Sequence, residues 1–273
     1  MSINVAQNTV AFIKDRIKEC DLTDIVVRFH GGELLARFDI IKLIMDGLED
    51  TPCSVSFSMT TNATLITKEM IPELVKINSL SISIDGNEEE HDRNRVTMDG
   101  KGTYSKVCES IVLLLKYIPE LSARMTITPD TYMKVYDNFK SIADLGLKKI
   151  DADLDFTSDR WTNEMIAEYL EELKNIIKYI RFKKRLGISI DSSLIGSAAI
   201  KTKNTVCDGG ISSFSITPDG KIYPCIAVAF NEDFLLGTVD IGITNNCVLK
   251  IIKEVGSEIN EHCEGGARYD FCY

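Results

Sequence analysis

Five short apolar runs, each followed by a stretch of helical spacing, constrain this chain more than any other feature. The runs are Ile25 to Phe29, Val55 to Met59, Leu80 to Ile84, Met125 to Thr128 and Ile150 to Phe156. Between them, apolar residues recur three and four apart, as in Leu35, Phe38, Ile41, Met45 and Leu48. A helix starts near Thr67, another carries Cys108, Ile111, Val112 and Leu115 until Pro119 stops it, and a third runs from Val135 to Ile142, with Gly146 just past its end. Ile166, Leu170, Leu173, Ile177 and Ile180 predict a long helix, with Trp161 anchoring its start. Ahead of the first strand, Ala6, Val10, Ile13 and Ile17 predict a helix capped by Ser2 or Asn4. Connections this short force parallel strands joined by right-handed crossovers, hence an α/β sheet. Asn87 to Lys101 reads as a polar, solvated loop, and Ile188-Ser-Ile190 ends the regular alternation.

From Ser197 the helical periodicity fades. Phe214 to Tyr223 predicts a β-hairpin turning at Pro218-Asp219-Gly220, so a domain boundary is expected near residue 197. The net charge of −10 and the absence of a basic stripe argue against a nucleic-acid surface. No apolar run is long enough to span a membrane and no signal peptide begins at Met1, which makes the cytosol the expected location. Of eight cysteines, Cys20, Cys53 and Cys108 read as small buried hydrophobes, whereas Cys207, Cys225, Cys247, Cys263 and Cys272 crowd the last part of the chain. In a cytosolic protein such a crowd reads as metal or cluster ligands rather than disulfides.

The strand ends carry the chemistry. The first run stops in Gly31-Gly32-Glu33, the second in Thr61-Asn62 and the third in Ser83-Ile84-Asp85-Gly86. A Gly-Gly after a strand is by itself a tight turn. Polar endings on three successive parallel strands line one edge, the edge where barrels and open α/β sheets bind ligands. His30 beside the turn is read as a turn residue, and His262 beside Cys263 as a minor metal candidate.

These endings resemble the strand-end motifs of radical S-adenosylmethionine enzymes, as does His91-Asp92 with Arg95 and Gly102-Thr103-Tyr104 after them. Cys207, Gly220, Pro224 and Cys225 are similar to the opening of that group's SPASM domain, found in sulfatase-maturating enzymes and peptide maturases. The resemblance implies a partial (β/α)6 TIM-like barrel, lacking its first strand, over residues 1–197, and a small SPASM-like domain with a β-hairpin over 198–273. It implies S-adenosyl-L-methionine as cofactor, with Gly31, Gly32 and Glu33 at the methionyl amine. Asn62, Ser83 and Asp85 would lie near the nucleoside, Arg124 at the carboxylate, and Arg95 near the site. The implied reaction is hydrogen abstraction from a peptide or protein substrate by a 5′-deoxyadenosyl radical.

The sequence departs from that family in three places. None of the eight cysteines has the C-x3-C-x2-C spacing that holds the radical-generating [4Fe–4S] cluster. A truncated or split form, inactive alone and completed by a separate chain bearing the cluster segment, is therefore expected. Cys263 and Cys272 match two of the thiolates of the second SPASM element, with Gly266 at another ligand position, so each auxiliary cluster keeps about half its ligands. Ile226 stands after Cys225, where sulfatase-maturating relatives carry a catalytic Asp, which favours another peptide modification. Two alternatives stay open: a cluster-free module that binds a peptide or cofactor, and a protein with one structural zinc on Cys207, Cys225, Cys263 and Cys272.

Overall fold

The computed structural model describes residues 1–196 and 209–256. Five strands form one sheet in sequential order: β1 (Asp24–Phe29), β2 (Ser54–Thr61), β3 (Ser79–Ser83), β4 (Ser122–Ile127) and β5 (Lys149–Leu154). Parallel registers place Thr60 beside Ser81, Ser83 beside Arg124, and Arg124 beside Asp151. This is the α/β sheet of a partial TIM-like barrel. Beyond β5 a single parallel bridge joins Lys149 to Asp191, with Ile150 N–H on Asp191 O at 3.0 Å. The regular alternation stops there, as the sequence predicts.

Helices fill the connections: α1 (Ile3–Glu19), α2 (Phe38–Leu48), α3 (Ile71–Leu74), α4 (Glu88–Asn94), α5 (Tyr104–Leu114), α6 (Val135–Asp144), α7 (Asn163–Arg185) and α8 (Ser193–Gly196). Ser2 caps α1 by accepting from Val5 N–H at 3.2 Å. Gly146 follows α6 with φ +98°, a left-handed position that suits glycine. Trp161 donates Nε1–H to Asp155 O at 2.8 Å, just before α7.

Three expectations need correction. Asn87 to Lys101 is not a solvated loop, because α4 occupies its first half. Asn87 caps that helix by accepting from Glu90 N–H at 3.0 Å, and Glu88, Glu89 and Glu90 lie in the first turn, where acidic groups meet the positive end of the dipole. The buried face of α5 is Val107, Ser110, Ile111 and Leu114, while Val112 is exposed. Ser110 tolerates burial because its hydroxyl donates to Ala63 O at 2.8 Å. Cys20, finally, is exposed as the C-cap of α1, whereas Cys53 is buried.

The chain divides into two compact units. One holds Val26–Arg37 and Ser56–Ala199, with most of the parallel sheet. Along its strands Phe57, Met59, Leu80, Ile82, Ala123, Met125, Ile150 and Ala152 are buried on one face. The alternate positions are hydroxyls and charges: Ser58, Thr60, Ser83, Arg124, Thr126, Asp151 and Asp153 are at least partly exposed, while Ser81 and Ser122 are buried and bonded to each other at 2.7 Å. Period-2 alternation thus gives the sheet one apolar and one polar face.

The other unit holds Met1–Ile25, Phe38–Val55 and Ile200–Tyr273. Its α1 and α2 approach closely at Gly47, where a Cβ would stand 2.9 Å from Val10 Cγ1. The predicted hairpin is present as β6 (Ser215–Ile216) and β7 (Lys221–Tyr223), turned at Gly220 with φ +88°. Two further strands, β8 (Gly237–Thr238) and β9 (Gly242–Ile243), complete a four-stranded antiparallel sheet, and α9 (Asn246–Gly256) follows. Phe12 from α1 enters the core of this sheet with Ile222, Leu236, Val239 and Val248. The boundary expected near residue 197 falls at the edge of residues outside the description. Among the described residues no helix is long and apolar enough to cross a membrane. Phe12→Ala should cost about 3–5 kcal/mol by emptying that core, read as a lowered denaturation midpoint in urea.

Candidate functional site

Parallel strands leave backbone N–H groups without a ladder partner where a neighbour stops, and two carboxylates meet them here. Glu33 lies just past β1. Its Oε1 accepts from Thr61 Oγ1 at 2.7 Å and Leu35 N–H at 3.0 Å, and its Oε2 accepts from Asn62 N–H at 3.0 Å. An ionised carboxylate offers about four acceptor positions, so three protein donors leave roughly one for a ligand. The preceding glycines are open. A Cβ on Gly32 would meet nothing within 4 Å, and one on Gly31 would meet only Leu34 Cδ2 at 3.5 Å. Neither glycine has a positive φ, so neither the backbone nor the packing of the described residues demands glycine there.

The end of β2 is strained. Ala63 adopts φ +61°, rare for a residue with a Cβ, and it is fully buried. Ala63 N–H on Thr61 Oγ1 at 3.0 Å and Ser110 on Ala63 O hold it there. Asn62 spends its carbonyl oxygen on the same turn, accepting from Thr64 N–H at 3.0 Å and Thr64 Oγ1 at 2.8 Å.

Asp85 acts at the end of β3 as Glu33 does at β1. Ser83 pairs with Arg124, and two residues further on the Asp85 side chain takes over the pairing, with Oδ1 accepting from Thr126 N–H at 3.0 Å. Arg95, from the end of α4, clamps the same carboxylate with Nη2 on Oδ1 at 3.0 Å and Nε on Oδ2. The Asp85 side chain is 8% exposed, so this bidentate pair is far less screened than a surface pair. Gly86 has φ +141°, and a Cβ there would stand 2.1 Å from Asn138 Oδ1, so only glycine fits.

His91 and Thr103 close a ring around this ion pair. Asp85 N–H donates to His91 Nδ1 at 3.4 Å, His91 Nε2 lies 3.0 Å from Thr103 Oγ1, and Thr103 Oγ1 donates to Arg95 O at 2.8 Å. Beside the ring, Asp92 Oδ1 accepts from Thr103 and Tyr104 N–H at 2.8 and 2.9 Å, satisfying the first amides of α5. Gly102 is required by that approach, since a Cβ on it would lie 1.9 Å from Asp92 Oδ2. His91, Asp92, Gly102 and Thr103, noted in the sequence only as part of a motif, are thus one hydrogen-bonded assembly.

Arg124 is different. It pairs with Asp153 at 2.9 Å, and both side chains are more than half exposed. Such a pair contributes about 0–1 kcal/mol and exchanges partners easily. His30 is exposed at the turn. Of the proposed metal ligands, Cys207, Cys263 and Cys272 lie outside the described residues, and Cys225 is half-buried. Gly210 donates its N–H to the O of Pro224, the residue before Cys225, at 3.2 Å. No group of three or more His, Cys, Asp or Glu among the described residues could hold a metal ion.

The family model described as the Radical SAM superfamily matches residues 3–137. A cysteine-type anaerobic sulfatase-maturating enzyme of Clostridium novyi is 26% identical over 222 residues, covering 75% of this chain and 59% of that protein. The PqqA peptide cyclase of Bradyrhizobium diazoefficiens is 24% identical over 215 residues, covering 74% of this chain and 53% of that protein. Among solved structures, native anSMEcpe with bound AdoMet and Kp18Cys peptide superposes with a TM-score of 0.79 at 19% identity, over all of this chain and 80% of that one. Residues 3–137, just under half of the chain, are thus similar to the radical SAM superfamily. It spans between half and two thirds of the length of the two curated relatives above.

Gly102→Ala should push Asp92 off the start of α5 and lose about 2–4 kcal/mol, the worth of two charge-assisted hydrogen bonds. Urea denaturation checks this. Adding Asp92→Ala to Gly102→Ala should cost little more, because both changes remove the same contact.

Proposed function

We propose that the ends of β1 to β4 bind S-adenosyl-L-methionine, and that the bound cofactor serves the modification of a peptide or protein. The observation that supports this most is the pair of open glycines beside a carboxylate fixed by three donors. Gly31 and Gly32 let a ligand approach the backbone, and Glu33 keeps an acceptor position for its ammonium group. Asn62 and Ser83 line the nucleoside side. Asp85 contributes mainly by holding the end of β3, since Arg95 and Thr126 already engage its carboxylate. Arg124 exchanges Asp153 for the ligand's carboxylate at little cost.

When bound, the cofactor supplies a sulfonium-linked adenosyl group for hydrogen abstraction from the substrate. That chemistry needs an electron from a [4Fe–4S] cluster, and the cysteines of this chain do not fit one: no C-x3-C-x2-C is present, and the described residues hold no group of suitable ligands. Such a cluster would have to be held by cysteines other than those of this sequence, as on a separate chain. The polar face of the sheet, with Ser58, Thr60, Thr126 and Asp151, offers the substrate's backbone donors and acceptors. A second reading concerns the cysteines. Cys207, Cys225, Cys263 and Cys272 are four thiolates, the number one zinc requires. Less than about half an equivalent of zinc or iron in the purified protein would sink that reading.

Gly32→Val separates the cofactor reading from a merely structural role. A Cβ at Gly32 meets nothing within 4 Å, so the denaturation midpoint should move little, while calorimetric titration should show affinity for S-adenosylmethionine falling at least about tenfold, or about 1.4 kcal/mol. Unchanged affinity would remove the cradle from this edge.

A further inference from the structure

We infer that His91 is a positioning residue: as a neutral imidazole it fixes the end of β3 in the geometry that the cofactor requires, and its protonation releases that end. This rests on the reading that the strand ends bind S-adenosylmethionine.

The ring of hydrogen bonds admits one arrangement of protons. Asp85 N–H can only donate, so His91 Nδ1 must carry a lone pair. The carbonyl of Arg95 can only accept, so Thr103 gives its hydroxyl proton there and keeps a lone pair for His91. His91 Nε2 must therefore hold the imidazole proton. Both ends of the chain of bonds are backbone groups, which cannot reverse their roles, and the tautomer is fixed from both sides.

The ring also closes on itself, because Arg95, whose carbonyl receives the last proton, holds the Asp85 carboxylate through its guanidinium. The ring is thus anchored to the strand end by both the main chain and the side chain of Asp85. His91 is fully buried and sits behind Asp85 rather than beside any open surface, so it acts through that residue.

A second proton has no place to go. It would sit on Nδ1, facing the Asp85 N–H at hydrogen-bond distance, and two donors would oppose each other. The groups facing the ring are the carboxylates of Asp85 and Asp92, the Arg95 guanidinium and the Tyr104 ring, whose centroid is 5.8 Å away. Burial and Arg95 push the imidazole below its usual range, against the opposing pull of the two carboxylates. A histidine held neutral in the folded protein and free to protonate when unfolded contributes stability that is present above pH 6.5 and is lost as the pH falls below it.

Three forms of the chain decide the matter: wild type, His91→Gln and His91→Leu. Glutamine can accept from Asp85 N–H and donate to Thr103, yet it does not titrate. Titration with S-adenosylmethionine at about pH 7.5 and at a series of values below 6.5 should show wild-type affinity falling progressively as the pH drops while His91→Gln holds level. His91→Leu should be weak at every value. Without cofactor, 15N spectra of the wild-type imidazole should show the proton on Nε2 at the higher pH. Exchange of the Asp85 amide should quicken at the lower pH relative to neighbouring amides and to the same amide in His91→Gln. An equal fall in affinity for wild type and His91→Gln, or a proton on Nδ1 at the higher pH, overturns the inference. If no form binds the cofactor, the cofactor reading falls and the functional half of the inference with it, and the exchange comparison still decides whether His91 fixes the strand end.

Discussion

The structure depends on carboxylates doing the work of backbone at places where strands stop. A parallel sheet whose strands end at different heights exposes amides that would otherwise lack partners. Glu33 answers for Asn62, and for Leu35 in the 3-10 turn that follows it, and Asp85 answers for Thr126. Both residues sit on the edge that binds ligands in related architectures. The same groups that finish the sheet therefore shape its binding rim. Structural and ligand roles are not alternatives at these two positions, because a carboxylate with several lone pairs serves both.

The two acidic clamps differ in what surrounds them. Glu33 is partly exposed and lies beside glycines with room around them, so its remaining capacity faces outward. Asp85 is buried under Arg95, with His91 and Thr103 tying the guanidinium's own backbone into the assembly. One clamp is open and the other closed. A rigid strand end next to an open cradle is a sensible division for holding a zwitterionic ligand, since pre-organised groups lose little entropy on binding.

Much of the fold was legible because strands and helices announce themselves by period. The five apolar runs became the five strands, and the turn at Gly220 became a hairpin with the expected left-handed glycine. What failed were segments whose burial is polar. The helix at Glu88–Asn94 has no apolar stripe, because His91 and Glu90 are its buried residues: His91 is held by hydrogen bonds and Glu90 by ion pairs to its Oε1, while Glu90 Oε2 has no partner among the described residues. Asn87 followed three residues later by Glu90 was a usable start signal, since that spacing is that of a helix cap. The α5 face was misphased for a similar reason, as Ser110 is buried by its bond to Ala63 rather than by hydrophobicity. At the candidate site the motif residues were visible, but the links among His91, Thr103, Arg95 and Asp85 join residues that no sequence period connects.

The packing of Phe12 against Ile222, Leu236 and Val248 has a bearing on how the chain is made. Helix α1 is made long before its hydrophobic partners, so its apolar face must wait while the residues between them are synthesised. Contacts this distant in sequence slow folding and leave a nascent chain exposed to aggregation. For this protein the pace of translation and the presence of holding chaperones should govern yield more than the strength of any single contact, and the parallel strands between are free to assemble first.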